Sequence, residues 1–296
     1  MFVFFTPYTY IFRVLYLFLI LTLLSLSSFY YFWLSIELIA LLLIGISYTI
    51  FTNSVSQLIV YFLVQSLSSF LILLSYLFSS TVLLSVSFLL KLGIFPFLTW
   101  YLSSVSRFPN FIFWLTGTLH KLPPLLLLLQ FGLQIDVYLL WGSVLMTTLL
   151  SGFTMLNTRD FRYLLVSSSI GNNSWFLLSE QVNFTVFFFF FSIYTLFLFF
   201  LLNSFGNLTK PVGSLSSSYA SSHSKWWFYL MCLSGLPPFP IFFAKMLVIM
   251  NLFIIRPLSY LFMLFLVFNC FIVAGYLNYL LTSVVYRYSI PTSFFI

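Results

Sequence analysis

Charged side chains are scarce in this sequence. Asp, Glu, Lys and Arg together make up 5% of its 296 residues, whereas 62% of the residues are hydrophobic. A soluble domain carries about 25% charged residues, because its surface must be hydrated. A chain with so few charges cannot cover a core of this size with a polar surface. The composition therefore excludes soluble enzymes, nucleic-acid-binding proteins and disordered chains, and it predicts a membrane protein.

Acidic residues and cysteines are rarer still. The four Asp and Glu stand against eleven Lys and Arg, and the cations form no basic cluster that would bind nucleic acid. Cys232 and Cys270 lie in apolar stretches, without a CxxC pair or metal-ligand spacing. We therefore predict no metal, iron–sulfur or haem site. The first twelve residues show neither a basic stretch nor an Arg-rich transit pattern, so we predict no cleavable signal.

Apolar runs in the chain are long enough to cross a membrane as helices. A helix needs about 20 apolar residues, at 1.5 Å each, to span about 30 Å of hydrocarbon. Unbroken runs such as 125–129 and 186–191 do not alternate as the strands of a membrane β-barrel do. We predict an all-α bundle of about ten helices, some of them broken, in a single transmembrane domain of residues 1–296. The predicted spans are 11–29, 31–48, 56–78, 81–101, 110–130, 135–155, 160–178, 184–204, 226–254 and 258–282.

One long polar segment, residues 204–225, is rich in serine and is predicted to be an exposed loop. With these spans, Arg256 lies on the face opposite the N-terminus, together with Asp136 and Glu180. The positive-inside rule therefore places both termini and the Ser-rich loop on the cytoplasmic or matrix face. The cations on that face are Arg13, Arg107, Arg159, Arg162, Lys210, Lys225 and Arg287.

Four ionisable residues fall inside the predicted spans: Glu37, Lys91, Lys121 and Lys245. Each costs about 2.5–3.5 kcal/mol to insert at a helix centre, so such residues usually have a function. One acid cannot neutralise three lysines, and a buried lysine without a partner can exchange its proton near neutral pH. We interpret the four as a proton relay. The alternatives are that Glu37 pairs with one lysine only to hold two helices together, or that the helix ends are misplaced.

Proline lies close to each of the three lysines in the sequence, and glycine lies close to Lys91 and Lys245. Proline removes a backbone donor and clashes with the preceding turn, so we expect these helices to be kinked or broken. Broken helices near the membrane midplane form the ion sites of many transporters, although a simple kink is common in membrane helices. The predicted breaks are at Gly93, Pro96, Pro123, Pro124, Pro237 and Pro238.

Six segments between Trp33 and Ile249 resemble those of a known family, in the same order along the chain. The family is subunit 2 of the mitochondrial NADH:ubiquinone oxidoreductase, respiratory complex I, and its members are antiporter-like membrane subunits. Glu37, Lys91, Lys121 and Lys245 stand at the acid and the lysines of the family pattern. The segments are WLSIELIALL, YFLVQSLSSFLILLSYLF, KLGIFPFLTW, LHKLPPLLLL, LNTRDFRYLLVSSSIGNNSW and GLPPFPIFFAKMLVI.

The resemblance implies a membrane-arm subunit that helps couple NADH oxidation and ubiquinone reduction to proton translocation. Glu37 would be the coupling acid that pairs with a lysine, Lys91 and Lys121 would pass protons along the membrane axis, and Lys245 would exchange them with one face. NAD, FMN, iron–sulfur clusters and ubiquinone would be bound by other subunits, so this chain is expected to bind no cofactor.

The resemblance also implies partners and a location. The expected partners are other membrane-arm subunits of complex I, neighbouring antiporter-like subunits among them, and lipids. The expected location is the mitochondrial inner membrane, with the N-terminus in the matrix, which agrees with the orientation that the loop charges predict.

Two histidines of the family pattern are missing. Leu98 and Thr99 follow the PF of KLGIFPF, and Asn172 stands at the histidine of the SSI segment. Asn172 and Asn173 are therefore further candidates for the relay. His120, which is next to Lys121, is another candidate, and the alternative is that it is a packed histidine bonded to a carbonyl. A cation/proton antiporter subunit of the related transporter family is the alternative function, and a purely structural membrane scaffold is a third.

Overall fold

A computed structural model describes residues 7–50, 55–133, 135–158, 160–205, 220–255 and 260–288 of the chain. All the regular structure in these ranges is helical, with helices α1 to α13 and one 3₁₀ turn at Leu119–Lys121. The α-helices are α1 Pro7–Leu23, α2 Phe29–Ile50, α3 Val55–Leu77, α4 Thr81–Leu92, α5 Leu98–Val105, α6 Asn110–Gly117, α7 Leu122–Phe131, α8 Val137–Asn157, α9 Phe161–Glu180, α10 Phe184–Phe205, α11 Ala220–Ser234, α12 Pro240–Ile255 and α13 Tyr260–Tyr288.

The prediction of an all-α protein is confirmed, but a bundle of about ten helices is not. The described ranges contain more helices than that, because three predicted spans are each divided. Helices α4 and α5 share the span predicted at 81–101, α6 and α7 that at 110–130, and α11 and α12 that at 226–254. The other predicted spans each correspond to one helix.

The long apolar helices have the length and composition of membrane spans. Inside hydrocarbon every backbone N–H and C=O must be paired within the protein, and an uninterrupted apolar helix meets this need by itself. These helices support the prediction of a membrane protein. In the described part of the chain, six stretches qualify by length and composition, and one of them, 110–131, contains the 3₁₀ turn between α6 and α7. The six are Phe29–Tyr48, Ser56–Leu77, Asn110–Phe131, Val137–Asn157, Phe184–Ser204 and Tyr260–Thr282.

Helix α9 is polar in composition and nonetheless buried along most of its length. Every residue from 164 to 180 is buried. The serine hydroxyls donate to carbonyls of the preceding turn, for example Ser167 Oγ to Tyr163 O at 2.8 Å and Ser168 Oγ to Leu165 O at 2.8 Å. Because these hydroxyls are satisfied within their own helix, the serines can be buried without polar partners on other helices.

The chain forms two compact units, Met1–Val144 and Leu145–Ile296, and the division falls within α8. In the first unit α2 packs on α1 and α3, and α3 packs on α4 and α5. In the second unit α10 packs on α9, α11 and α12, and α13 packs on α9 and α11. The single transmembrane domain predicted for residues 1–296 stays a prediction.

The Ser-rich loop predicted at residues 204–225 can occupy a shorter range of residues than predicted. Helix α10 continues to Phe205 and α11 begins at Ala220, so both ends of the predicted loop are helical. Residues 206–219 lie outside the described residues, and the loop stays a prediction for them. Arg159, Lys210 and Arg256, three of the cations used to predict the orientation, also lie outside.

Candidate functional site

Lys91 lies where helix α4 ends. The helix stops at Leu92, and Gly93 takes the left-handed conformation (φ 67°, ψ 38°), which glycine adopts without steric cost. Pro96 lies between this end and the start of α5 at Leu98, so the break predicted at Gly93 and Pro96 separates two helices. The Lys91 side chain is 5% exposed, and its Nζ has no hydrogen-bond partner among the described residues.

Glu37 lies in the middle of α2 and is half-buried. Its carboxylate accepts a hydrogen bond from Ser69 Oγ on α3. The indole Nε1 of Trp33 donates to the carbonyl of the same serine at 2.8 Å, which ties α2 to α3 beside the acid. Glu37 also interacts electrostatically with Lys91. The acid and the first lysine of the predicted relay therefore belong to one cluster.

His120 joins this cluster from the segment between α6 and α7. Its ring is buried, and neither ring nitrogen has a hydrogen-bond partner among the described residues. A positive charge on this ring would be repelled by the Lys91 ammonium, and the ring centroid lies 5.9 Å from that of Tyr61 on α3. One turn further along α3, Gln65 Nε2 donates to the Lys91 carbonyl at 3.2 Å, so α3 holds the backbone end of α4 in place.

Lys121 lies in the 3₁₀ turn between α6 and α7 and is 3% exposed. Its Nζ lies 5.2 Å from the centroid of the Tyr101 ring, in a cation–π contact. The irregular backbone begins at Thr118 (φ −129°, ψ −89°), upstream of Pro123 and Pro124. The two prolines stand in the first turn of α7, where a missing N–H costs little. The break predicted at them is thus displaced toward Thr118.

Lys245 lies on α12 in the second unit, beside the break between α11 and α12. Gly235 has a positive φ of 73° directly after α11, and Pro237 and Pro238 lie between the two helices, as predicted. A Cβ atom added at Gly235 would lie 3.3 Å from Lys245 Nζ, so the ammonium rests against this backbone. On α9, the Trp175 ring centroid lies 5.2 Å from the same Nζ.

Trp175 is held in a fixed orientation by Asn269. Its Nε1 donates to Asn269 Oδ1 at 2.6 Å, and Asn269 Nδ2 donates to the Phe265 carbonyl at 2.8 Å. Sequence reasoning missed both residues. A signal existed for Asn269, because an amide inside an apolar helix needs a hydrogen-bond partner. Nothing in the sequence indicated that this partner is Trp175.

Asn172 and Asn173 are both buried on α9. Asn172 precedes Trp175 by one turn and so lies on the same side of the helix. Their part in a relay stays a prediction.

Two acids predicted to lie on the face opposite the N-terminus have different environments. Asp136 precedes α8, and its Oδ1 accepts hydrogen bonds from the N–H groups of Tyr138 and Leu139, at 3.0 and 3.3 Å, which caps the helix. Glu180 follows the predicted span 160–178, but the helix that corresponds to this span continues through it. Glu180 is the last residue of α9 and is buried, and its Oε2 has no hydrogen-bond partner among the described residues.

Comparison with known proteins identifies the family. The profile of the family described as NADH:quinone oxidoreductase/Mrp antiporter, TM matches residues 75–273. The chain belongs to this family. The matched region contains Lys91, Lys121 and Lys245 and both of the glycine breaks beside them, whereas Glu37 precedes it.

Relatives and solved structures agree with this assignment. The NADH-ubiquinone oxidoreductase chain 2 of Artemia franciscana is 30% identical over 263 residues, which are 86% of this chain and 83% of the relative. The protein of the same name from Anas capensis is 30% identical over 178 residues, 59% of this chain and 51% of the relative. The alignment with the latter thus spans about half of that relative's length. The predicted resemblance is confirmed.

Two solved structures share the fold. A chain of respiratory complex I from Thermus thermophilus matches with a TM-score of 0.72 at 18% identity, over 84% of this chain and 64% of that one. A chain of the Mrp complex from Dietzia sp. DQ12-45-1b matches with a TM-score of 0.67 at 14% identity, over 86% of this chain and 56% of that one. At these identities the likeness establishes the helical architecture.

Proposed function

We propose that the chain is a membrane-arm subunit of respiratory complex I, the proton-translocating NADH:ubiquinone oxidoreductase, and that its buried Glu and Lys residues relay protons. The observation that carries the proposal is the cluster of Glu37, Lys91 and His120 at the break between α4 and α5. The names of its relatives support the choice of enzyme. The chain contributes to this translocase as a subunit, and NAD, FMN, iron–sulfur clusters and ubiquinone bind to other subunits.

The first unit has the features that a proton-exchanging lysine needs. The Lys91 ammonium is buried, where its charge is costly unless a nearby charge offsets it. Glu37 is such a charge, and the attraction between the two is stronger here than in water. A change in the protonation of Glu37 therefore changes the cost of charging Lys91. The backbone carbonyls freed at the break provide further polar contacts along the path.

The second unit repeats the combination of a buried lysine and a broken helix. Lys245 is 8% exposed and lies against the break between α11 and α12. Among the described residues no carboxylate interacts with it electrostatically. We assign to Lys245 the exchange of protons with one membrane face.

Location and partners follow from the same proposal. The chain lies in the mitochondrial inner membrane, with its N-terminus in the matrix, beside the other antiporter-like subunits of the membrane arm. Large apolar side chains such as Phe18, Leu21 and Phe200 are exposed on the helices, and they suit contact with lipid tails or with apolar helices of these subunits.

A subunit of a cation/proton antiporter is the second candidate, because the family and the fold include the Mrp antiporters. A native gel of mildly solubilised membranes, stained for NADH oxidation, distinguishes the two. Peptides of this chain in the large NADH-oxidising band support complex I. Peptides only in a small band without that activity support the antiporter.

Glu37→Gln tests the relay. We expect the assembled complex to translocate protons about tenfold more slowly, the rate effect of about 1.4 kcal/mol, because the neutral amide no longer stabilises the Lys91 ammonium. The measurement is acidification of reconstituted liposomes during NADH oxidation. Ser69→Ala is the control, since it removes the hydroxyl that Glu37 accepts from and leaves the charge. A Glu37→Gln complex with the normal rate and stoichiometry would contradict the proposal.

Substitutions of Trp175 test the Lys245 site. Trp175→Phe keeps an aromatic face beneath the ammonium and loses the N–H that Asn269 accepts, whereas Trp175→Leu loses both. We expect a small loss of proton translocation in the first and about a tenfold loss in the second, measured in the same liposomes. Equal rates in the two variants would show that the ring face does not position Lys245.

A further inference from the structure

Two buried tyrosines contact the candidate relay residues of the first unit. Tyr61 on α3 is 1% exposed and Tyr101 on α5 is 2% exposed. Neither Tyr61 nor Tyr101 is used in the relay as described above.

Tyr61 contacts the Lys91 end of the cluster. Its ring lies 5.9 Å from that of His120, centroid to centroid, and a positive charge on the His120 ring would be repelled by the Lys91 ammonium. Tyr61 is also one turn from Gln65 on α3, and Gln65 holds the Lys91 carbonyl. The phenol therefore stands on the side of α3 that faces the end of α4.

Tyr101 contacts the Lys121 end. Lys121 Nζ lies 5.2 Å above the centre of its ring. The same side chain packs against the α4 break, since a Cβ atom added at Gly93 would lie 2.7 Å from Tyr101 Cβ. Tyr101 thus contacts both the backbone at Gly93, two residues after Lys91, and the ammonium of Lys121.

We propose that the hydroxyls of Tyr61 and Tyr101 carry protons between the Lys91–His120 pair and Lys121. This inference rests on the proposed function and names two further relay residues in it. A hydroxyl can accept a hydrogen bond and donate one at the same time. It takes a proton on its oxygen from one side, releases its own proton to the other side and then rotates back. The phenol stays neutral, no electron is transferred, and ordered water can bridge the remaining gaps.

Phenylalanine substitutions separate the hydroxyl from the ring. We expect Tyr101→Phe and Tyr61→Phe to assemble normally, because each keeps its ring, and to lower the rate of proton translocation about tenfold in NADH-driven liposomes. Tyr276→Phe, at a tyrosine of the second unit that is also buried, is the matched control and should keep the normal rate. If one variant fails to assemble, the other still tests the proposal.

Three results would overturn it. The first is a normal rate in the Tyr61→Phe Tyr101→Phe double variant. The second is a loss in Tyr101→Leu without a loss in Tyr101→Phe, because the ring alone would then matter. The third is an equal loss in Tyr276→Phe. Lys91→Met is measured in parallel. If Lys91→Met abolishes translocation while the double tyrosine variant has the normal rate, the tyrosine relay fails and the proposed function stands. If Lys91→Met and the double variant both have the normal rate, the tyrosine relay and the proposed function both fail.

Discussion

Lys91→Met is expected to abolish proton translocation in a complex that still assembles. Methionine has about the volume and flexibility of the lysine stem and packs well in apolar surroundings. Removing one partner of a buried charge pair destabilises a protein when the other charge is left alone. Glu37 is only half-buried and keeps the hydrogen bond from Ser69 Oγ, so we still expect the complex to assemble. Native gels measure assembly, and the rate of acidification of liposomes during NADH oxidation measures translocation.

Lys91→Arg distinguishes proton exchange from the mere presence of charge. Arginine keeps the positive charge beside Glu37, but its guanidinium does not release a proton inside a protein. We therefore expect Lys91→Arg to lose translocation as Lys91→Met does. Arg107→Met, at an exposed residue of the same unit, is the control and should keep the normal rate. A normal rate in Lys91→Arg would show that Lys91 does not exchange protons.

Gly93→Ala is expected to give the largest loss of stability among the glycine substitutions of the first unit. The left-handed conformation costs an alanine about 1–2 kcal/mol. The new methyl group would also lie 2.7 Å from Tyr101 Cβ, and overpacking of this kind costs about 1–3 kcal/mol. Less assembled complex and a lower melting temperature of what remains are the expected results.

Substitutions of two other glycines allow the conformational cost and the overpacking cost to be measured separately. Gly132 also has a positive φ, of 56°, but a Cβ atom there would meet nothing within 4 Å, so Gly132→Ala carries only the conformational cost. Gly142 lies within α8 with open space around it, and Gly142→Ala should be neutral or slightly stabilising. The expected order of destabilisation is Gly93, then Gly132, then Gly142. Equal effects at Gly93 and Gly132 would show that Tyr101 yields to the new methyl group.

Much of the fold could be predicted from the sequence because lipid allows few solutions. Long apolar runs must be helices, and Gly93 with Pro96 marked a true interruption. The break predicted at Pro123 and Pro124 lies upstream of them, where the backbone is irregular at Thr118. The two prolines did not mark the break because proline is equally suited to the first turn of a new helix. The number of helices was too low because a hydropathy pattern cannot tell one kinked span from two helices.

The lysines of the candidate site were easy to find, since each is a charge in an apolar run. The residues that contact these lysines could not be found from the sequence in the same way. Trp175 and Asn269 are 94 residues apart, and only the packing of α9 against α13 brings them together. Tyr61 and Tyr101 resemble the many aromatic residues that merely fill space in this chain. The predicted span ended at residue 178, short of Glu180, because hydropathy falls at a charged residue even where other helices bury it.

The aromatic ring beside Lys245 has a consequence for how a lysine can work repeatedly. A carboxylate in that place would attract the ammonium strongly and would oppose the departure of its proton. A ring attracts the ammonium less, and it still contacts the hydrocarbon stem and the amine when the charge has gone. Trp175, itself fixed by Asn269, thus offers Lys245 one resting position for both of its forms. The Lys245 side chain can therefore gain and lose its charge repeatedly without changing its position.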